Sequence, residues 1–230
     1  MDRPSDQPTP DEMRASQRQA RRQRRREQSR GEILEAARRV LIRSGVAATT
    51  LEAVAQEAGM SKTGLYYYFP SKDALLFELV FAAFQAQSQA VHEAVEAAND
   101  GGAALSAIIR ETVQFFGPRL DDFRLAFLQG QVAGPGALRW TDEQFQRIRP
   151  LNDLLFAGAA ERLSHDRALR PSRTDVTPRM LAFLAYVAAL GVLTMKGMVE
   201  SVDDPLIYSD EELAEALARV FAAATAPSAP

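Results

Sequence analysis

Residues Thr49 to Leu76, reading TTLEAVAQEAGMSKTGLYYYFPSKDALL, constrain the fold more tightly than any other stretch of the chain. Leu51, Val54, Ala55 and Ala58 recur at i, i+3, i+4 and i+7, one apolar stripe on one short helix. Gly59 permits a sharp reversal, and Met60 and Leu65 carry the apolar side across the turn. A second short helix follows, capped by Ser61 and ended by Pro70, with Lys62, Thr63, Gly64, Tyr66, Tyr67 and Tyr68 left on its outside. Two short helices pinched together at a glycine, the second held by one face and presenting donors on the other, fit the helix-turn-helix geometry for entering a DNA major groove.

Charge points the same way. Residues 1–75 hold 14 Lys/Arg against 10 Asp/Glu, and residues 76–230 hold 13 against 20. Within 14–72 the counts are 13 and 5. A basic end on an acidic body suits a polyanionic partner. A solubilising tail would give the same counts, and the adjoining helix-turn-helix pattern favours double-stranded DNA. Residues 1–28 contain RRQRRR, lack periodic apolar positions, and are expected to form a disordered, mobile Arg-rich arm. Arg24, Arg25, Arg26 and Arg30 are then available for the minor groove or for diffuse phosphate attraction.

Several chemistries lack raw material. The chain has no cysteine and only two histidines, His92 and His165, which leaves no thiolate metal site or Cys nucleophile and little for a zinc site or a Ser/His/Asp triad. Glu78, Glu93 and Glu96 suit the solvated face of a long helix better than a carboxylate site. No enzyme, metal site or cofactor is expected. The N-terminus has no apolar run for a secretory signal. The most apolar stretch, 180–193, is shorter than the ~20 residues that span a bilayer and reads as a buried helix. These features suggest a cytoplasmic protein with no membrane partner.

Cap signals divide the rest into helices. Ser29-x-x-Glu32 opens helix 1, with Ile33, Ala37, Val40 and Leu41 as its stripe and Gly45 as its stop. Thr49-x-x-Glu52 opens helix 2 and leaves the Thr50 hydroxyl for a phosphate. Helix 4 is predicted from Ser71 to about Ala98, roughly 40 Å long, up to a break at 99–102. Further helices are predicted over about 103–116 and 121–132. Thr141-x-x-Gln144 opens another, running to about His165 with a bend at Pro150. Thr177-Pro178 starts the next, to about Val199, and Ser209-x-x-Glu212 starts the last. The fold class is all-α: an arm (1–28), a three-helix DNA-binding domain (29–76), and a helical effector-binding and dimerisation domain (77–226) joined to it by the long helix 4.

The eighth helix is apolar all round: Leu181, Leu184, Ala188 and Val192 form one face, and Phe183, Tyr186, Leu190 and Leu193 another. One face can enter the domain core. The other needs a ligand or a second subunit, unless the helix lies at the centre of a larger core. A four-helix homodimer interface follows, with Leu181, Leu184, Ala188 and Val192 joined by Leu213, Leu217 and Val220 of the last helix.

The blocks Thr49-Thr50, Val54-Ala55, Ala58-Gly59-Met60-Ser61-Lys62, Leu65-Tyr66-Tyr67-Tyr68-Phe69 and Ser71-Lys72-Asp73-Ala74-Leu75-Leu76 together resemble the DNA-binding domain of TetR-family transcriptional regulators. The resemblance covers roughly residues 30–80. It implies a homodimeric repressor of a pseudo-palindromic operator, released by a small effector bound in the C-terminal domain. It places Lys62, Thr63, Gly64 and Tyr67 on base edges or the groove wall, and Thr49, Thr50, Tyr66, Tyr68 and Lys72 at or near phosphates. Many members carry Lys-Gly-Thr where this chain has Lys62-Thr63-Gly64, so the hydroxyl usual at position 64 is missing. The pocket expected for a small apolar effector draws on Phe81, Phe115, Phe116, Phe127, Phe156 and Phe183, with Gln85, Arg110 or Gln114 as polar anchors. The alternative reading is a module of the same fold that docks a protein partner or co-regulator.

Overall fold

The structure, a computed structural model, describes residues 10–128, 140–169, 175–202 and 208–225, and among these all regular structure is helical. The chain divides into two compact units, Met1–Leu79 and Val80–Pro230.

The first unit contains α1 (Pro10–Ala48), α2 (Leu51–Glu57), α3 (Lys62–Tyr68) and the first residues of α4 (Lys72–Glu96). α1 is interrupted at Gly45, whose φ of 75° and ψ of 170° no other residue type adopts cheaply. Gly59, at φ 64°, turns α2 into α3. Ile33, Ala36, Ala37 and Val40 of α1, Val54 and Ala55 of α2, Leu65 of α3, Phe69, and Leu75 and Leu76 of α4 are all buried. Every element thus contributes to the interior of a small domain.

Residues 10–28 correct an expectation. They are the first part of α1 and not a structureless arm, and Ser29 lies inside a helix instead of opening one. Arg, Gln, Glu and Ala are good helix formers whether or not they are buried. Gln23 Nε2 donates to Glu27 Oε1 (2.7 Å) and Gln28 Nε2 to Glu32 Oε1 (2.9 Å), i,i+4 pairs that support the turns. The absence of apolar periodicity correctly says that residues 16–28 are exposed. It does not say that they are unstructured. Residues 1–9 of the expected arm lie outside the described residues.

The second unit holds the rest of α4, then α5 (Gly101–Phe116), a 3₁₀ turn (Gly117–Arg119), α6 (Leu120–Phe123), a π-helical turn (Arg124–Leu128), α7 (Asp142–Leu169), α8 (Pro178–Val202) and α9 (Asp210–Thr225). α5 packs against α7, α8 and α9. Its Leu105, Ile108, Ile109 and Val113 share one core with Val91 and Val95 of α4, Leu155 and Leu163 of α7, and Ala185 and Ala189 of α8. The glycines expected to break the chain are instead the first residues of α5, capped by Asp100, whose side chain accepts from the Ala103 amide at 2.7 Å. A Cβ on Gly101 would lie 2.6 Å from Leu163 Cδ2, so glycine there permits the close approach of α5 and α7. The helix predicted over 121–132 is replaced by α6 and the π turn as far as Leu128, and its remainder lies outside the described residues. The capping boxes at Thr141 and Ser209 form as predicted, and α7 runs on through Pro150.

α8 is rotated relative to its predicted faces. Leu181 and Val192 are buried with Ala182, Ala185, Tyr186, Ala189 and Leu193, while Leu184 is exposed and Ala188 half-buried. The exposed side is Met180, Phe183, Leu184, Val187, Gly191, Met195 and Met198. At about 100° per residue, the predicted stripe of 181, 184, 188 and 192 straddles the boundary between these two sides. Alanines 182, 185 and 189 turn the small-residue side inward, and periodicity cannot favour one side of a helix that is apolar throughout. On α9, Leu213 and Leu217 are half-buried against the protomer core and Val220 is exposed. By length and composition α4 and Pro178–Val199 would suffice to cross a membrane, and only a third of the latter window is buried. The stretch over 180–193 is thus buried on one side only within the protomer, and its other side is apolar and exposed.

Candidate nucleic-acid interface

Three successive helices of the first unit open on a hydroxyl cap. Thr50 Oγ1 accepts from the Ala53 amide (3.1 Å), Ser61 Oγ from the Gly64 amide (3.1 Å) and Ser71 Oγ from the Ala74 amide (3.1 Å). The first of these shifts the expected cap by one residue. Thr49 is fully buried and its hydroxyl donates to the Gly45 carbonyl (2.8 Å), closing the turn that the glycine opens. Thr49 therefore leaves the candidate surface, and Thr50 stays on it as an exposed cap.

α3 is held by Leu65, with no exposed surface, and its other side faces solvent. Lys62, Thr63, Tyr66 and Tyr67 are exposed, Tyr67 most of the tyrosines at 68%, while Gly64 and Tyr68 are half-buried. The Tyr67 and Tyr68 rings meet edge to face, 5.2 Å between centroids. A Cβ at Gly64 would lie 3.2 Å from Ser61 Oγ, so the glycine gives its amide room to reach the cap.

Electrostatics link the two helices. Lys62 pairs with Glu52 at the start of α2, and its ammonium also lies 5.8 Å from the Tyr66 ring centroid. The hydrogen bond from Lys62 holds the Glu52 carboxyl below the usual carboxylate range, and the same bond raises Lys62. Lys72, expected to grip a phosphate, directs its ammonium to the Val46 carbonyl at 2.5 Å, tying the start of α4 to the end of α1. Glu57 receives both Arg39 and Arg43, and their hydrogen bonds lower its pKa.

Two arginines of α1 turn toward this surface. The Arg26 guanidinium lies 5.4 Å from the Tyr67 ring centroid, and that of Arg30 lies 4.9 Å from Phe69 and pairs with Glu78 at 2.8 Å. Glu78, expected on a solvated face, is thus an internal partner. Arg24 and Arg25 are exposed.

In the second unit the expected pocket aromatics partly converge. Phe127 lies 5.1 Å from Phe84, 5.7 Å from Phe116, 5.2 Å from Phe123 and 6.3 Å from Tyr186 between ring centroids. Phe156 packs on both Tyr186 (5.6 Å) and exposed Phe183 (5.8 Å). Phe115 packs on Phe116 (5.0 Å) beneath Arg119, and Phe81 lies beneath Arg147. The expected polar anchors do not enter: Gln85, Arg110 and Gln114 are exposed, and Arg110 pairs with Glu215. Buried polar residues of this unit include Gln87, Ser88, Thr112 and Tyr186. Gln87 Nε2 donates to Thr112 Oγ1 (3.1 Å), while Gln87 Oε1, Ser88 Oγ and the Tyr186 hydroxyl are buried without hydrogen-bond partners among the described residues. Burial raises the Tyr186 pKa, so the phenol stays neutral. Gln87 and Ser88 lie one turn from Phe84 on the α4 side that buries Val91, a placement that helical spacing could have indicated.

Residues 33–79 match the family model for bacterial regulatory proteins of the tetR family. RutR, an HTH-type transcriptional regulator of Escherichia coli K12, is 54% identical over 43 residues, 19% of this chain and 20% of RutR, so the match spans about a fifth of that relative. Beyond this segment the likeness is one of fold. The MbdR regulator of Azoarcus sp. CIB superposes with a TM-score of 0.61 at 21% identity, covering 85% of this chain and 98% of MbdR. The transcriptional regulator FadR of Bacillus subtilis, solved in complex with stearoyl-CoA, gives a TM-score of 0.64 at 15% identity, covering 84% and 97%. Residues 33–79 thus form a helix-turn-helix domain that matches the tetR family of bacterial regulatory proteins, within an all-helical chain whose fold resembles those of MbdR and FadR.

Proposed function

We propose that the protein is a ligand-responsive DNA-binding transcriptional regulator, acting as a homodimeric repressor of a pseudo-palindromic operator. The observation that carries this reading is the solvent face of α3, where Lys62, Thr63, Tyr66 and Tyr67 stand exposed on a helix fixed by Leu65 and the Ser61 cap. Lys62, Thr63, Gly64 and Tyr67 meet base edges and the groove wall; Tyr66 and Tyr68 reach phosphates. Thr50 accepts the Ala53 amide, which leaves its O–H to donate to a phosphate oxygen. Lys72 supports the site by its bond to Val46 and adds positive charge beside the backbone.

The exposed apolar side of α8, with the exposed Val220 on α9, supports dimerisation, because apolar surface is costly to leave in water. The buried and unpartnered Gln87, Ser88 and Tyr186 groups beside the Phe127 cluster support an effector site for a largely apolar molecule carrying at least one hydrogen-bonding group. α4 belongs to both units, so a shift of α4 on effector binding changes the spacing of the two recognition helices.

In vitro selection with the full chain tests the reading. The expected product is a pseudo-palindrome with half-sites about one DNA turn apart. No enriched sequence, together with a co-purifying protein partner, would replace it with the docking-module reading. A second outcome bears on the lever: an effector should release DNA while the dimer persists, and monomer appearing on release would sink that mechanism.

A further inference from the structure

Arg14, Arg18, Arg22, Arg26 and Arg30 fall at every fourth position of α1, so an i, i+4 ridge of that helix is arginine for five successive places. The spacing has meaning only because residues 10–30 are helical. The two inner members are anchored, Arg30 on Phe69 and Glu78, Arg26 on Tyr67. Two anchors one turn apart fix the direction in which α1 passes the exposed end of α3. Beyond them Arg22 and Arg18 are exposed, flanked by exposed Arg21, Arg24 and Arg25. Between residues 13 and 30 the chain has eight arginines and a single acidic residue, Glu27.

We propose that the outer part of this ridge is a second DNA-contact surface, on which Arg22 and Arg18 pair with backbone phosphates flanking the operator half-site. Arg26 and Arg30 are positioning residues that hold the helix in line. Successive ridge positions advance ~6 Å along the helix, and each DNA strand offers a phosphate every ~3.4 Å of axis. The span from Arg26 to Arg18 therefore covers roughly three to four base pairs. A flexible arm would find phosphates anywhere nearby. A rigid helix finds them at a fixed distance from the half-site, and only where the duplex extends that far. The inference rests on the DNA-binding reading above and adds a footprint wider than the recognition helices alone would give.

The test uses the full chain and the duplex recovered by in vitro selection, trimmed to its half-sites or extended by four and eight base pairs on each side. Affinity is measured across a salt series. The extended duplex should bind at least tenfold tighter than the trimmed one, with a salt slope steeper by ~4 for a dimer making two extra phosphate contacts per protomer. R18Q/R22Q should lose both gains and keep trimmed-duplex affinity within about twofold. Arg26→Gln, which leaves the outer charges in place, should also lose most of the gain with helical content unchanged by circular dichroism. Equal binding of trimmed and extended duplexes by the wild-type chain, or a full gain in R18Q/R22Q, overturns the proposal. Absence of selective binding even to the extended duplex sinks the regulator reading, and this inference with it.

Discussion

The two units solve opposite problems. The first is small, and its candidate function lies in polar side chains left outside: three hydroxyl-capped helix starts and the exposed face of α3. The second is larger and more apolar, and its candidate function lies in what is turned inward beside Phe127 and in which side of α8 is left uncovered. A surface that reads DNA needs donors at fixed positions on a short scaffold, so its residue types are dictated almost place by place. A cavity for an apolar effector needs only shape and a few polar atoms, which many sequences supply.

Substitutions in each unit can break this contrast. Leu65→Ala empties the centre of α3 and should cost ~2–5 kcal/mol, enough to unfold a small domain. Selective DNA binding should disappear while most helical signal from the second unit survives; loss of both together would show that the units do not fold separately. Val187→Glu places a charge on the uncovered side of α8 and should weaken dimerisation by about 100-fold or more. Sedimentation at micromolar concentration would then show monomer, and an unchanged dimer would move the interface elsewhere. Lys62→Ala should reduce operator affinity by ~1–3 kcal/mol, read as a 5- to 150-fold rise in Kd, and an unaltered Kd would remove it from the contact surface.

Tyr186→Phe removes a buried hydroxyl that has no partner among the described residues. Thermal stability should hold or rise by up to ~1 kcal/mol, while effector affinity falls; a clear loss of stability would mean that the hydroxyl is satisfied in the folded protein. The smallest effect belongs to Glu52→Gln, which releases Lys62 from a competing carboxylate and should tighten DNA binding a few-fold at low salt. The Glu52 carboxyl is lowered by its bond to Lys62, so the pair is intact above the ordinary carboxylate range and is lost as pH falls through the depressed value. The gain in E52Q should therefore shrink toward acid pH, and a gain independent of pH would point away from the ion pair.

The first unit was largely legible because caps, glycines and buried stripes each demand particular residues. The misreading there was a shift of one position: Thr49 and Thr50 both satisfy a cap by type, and only the bond from Thr49 to the Gly45 carbonyl separates the buried residue from the exposed one. The helix over 10–28 was missed because periodicity reports burial, and an exposed polar helix has none to report. In the second unit helix starts were legible at Thr141, Thr177 and Ser209, while the rotation of α8 was not, since its apolar residues occur at every angle. Gln87 and Ser88 were overlooked for the same reason in reverse: a polar pair on a long helix reads as surface until neighbours bury it.

The bond from Lys72 to the Val46 carbonyl and the ion pair from Arg30 to Glu78 pin α4 to α1 at two points. The first joins the start of α4 to the short segment between the Gly45 break and the Thr50 cap, the one place where α1 is already bent. Two ties six residues apart on α4 set both its distance from α1 and its rotation, which keeps Leu75 and Leu76 turned into the domain interior.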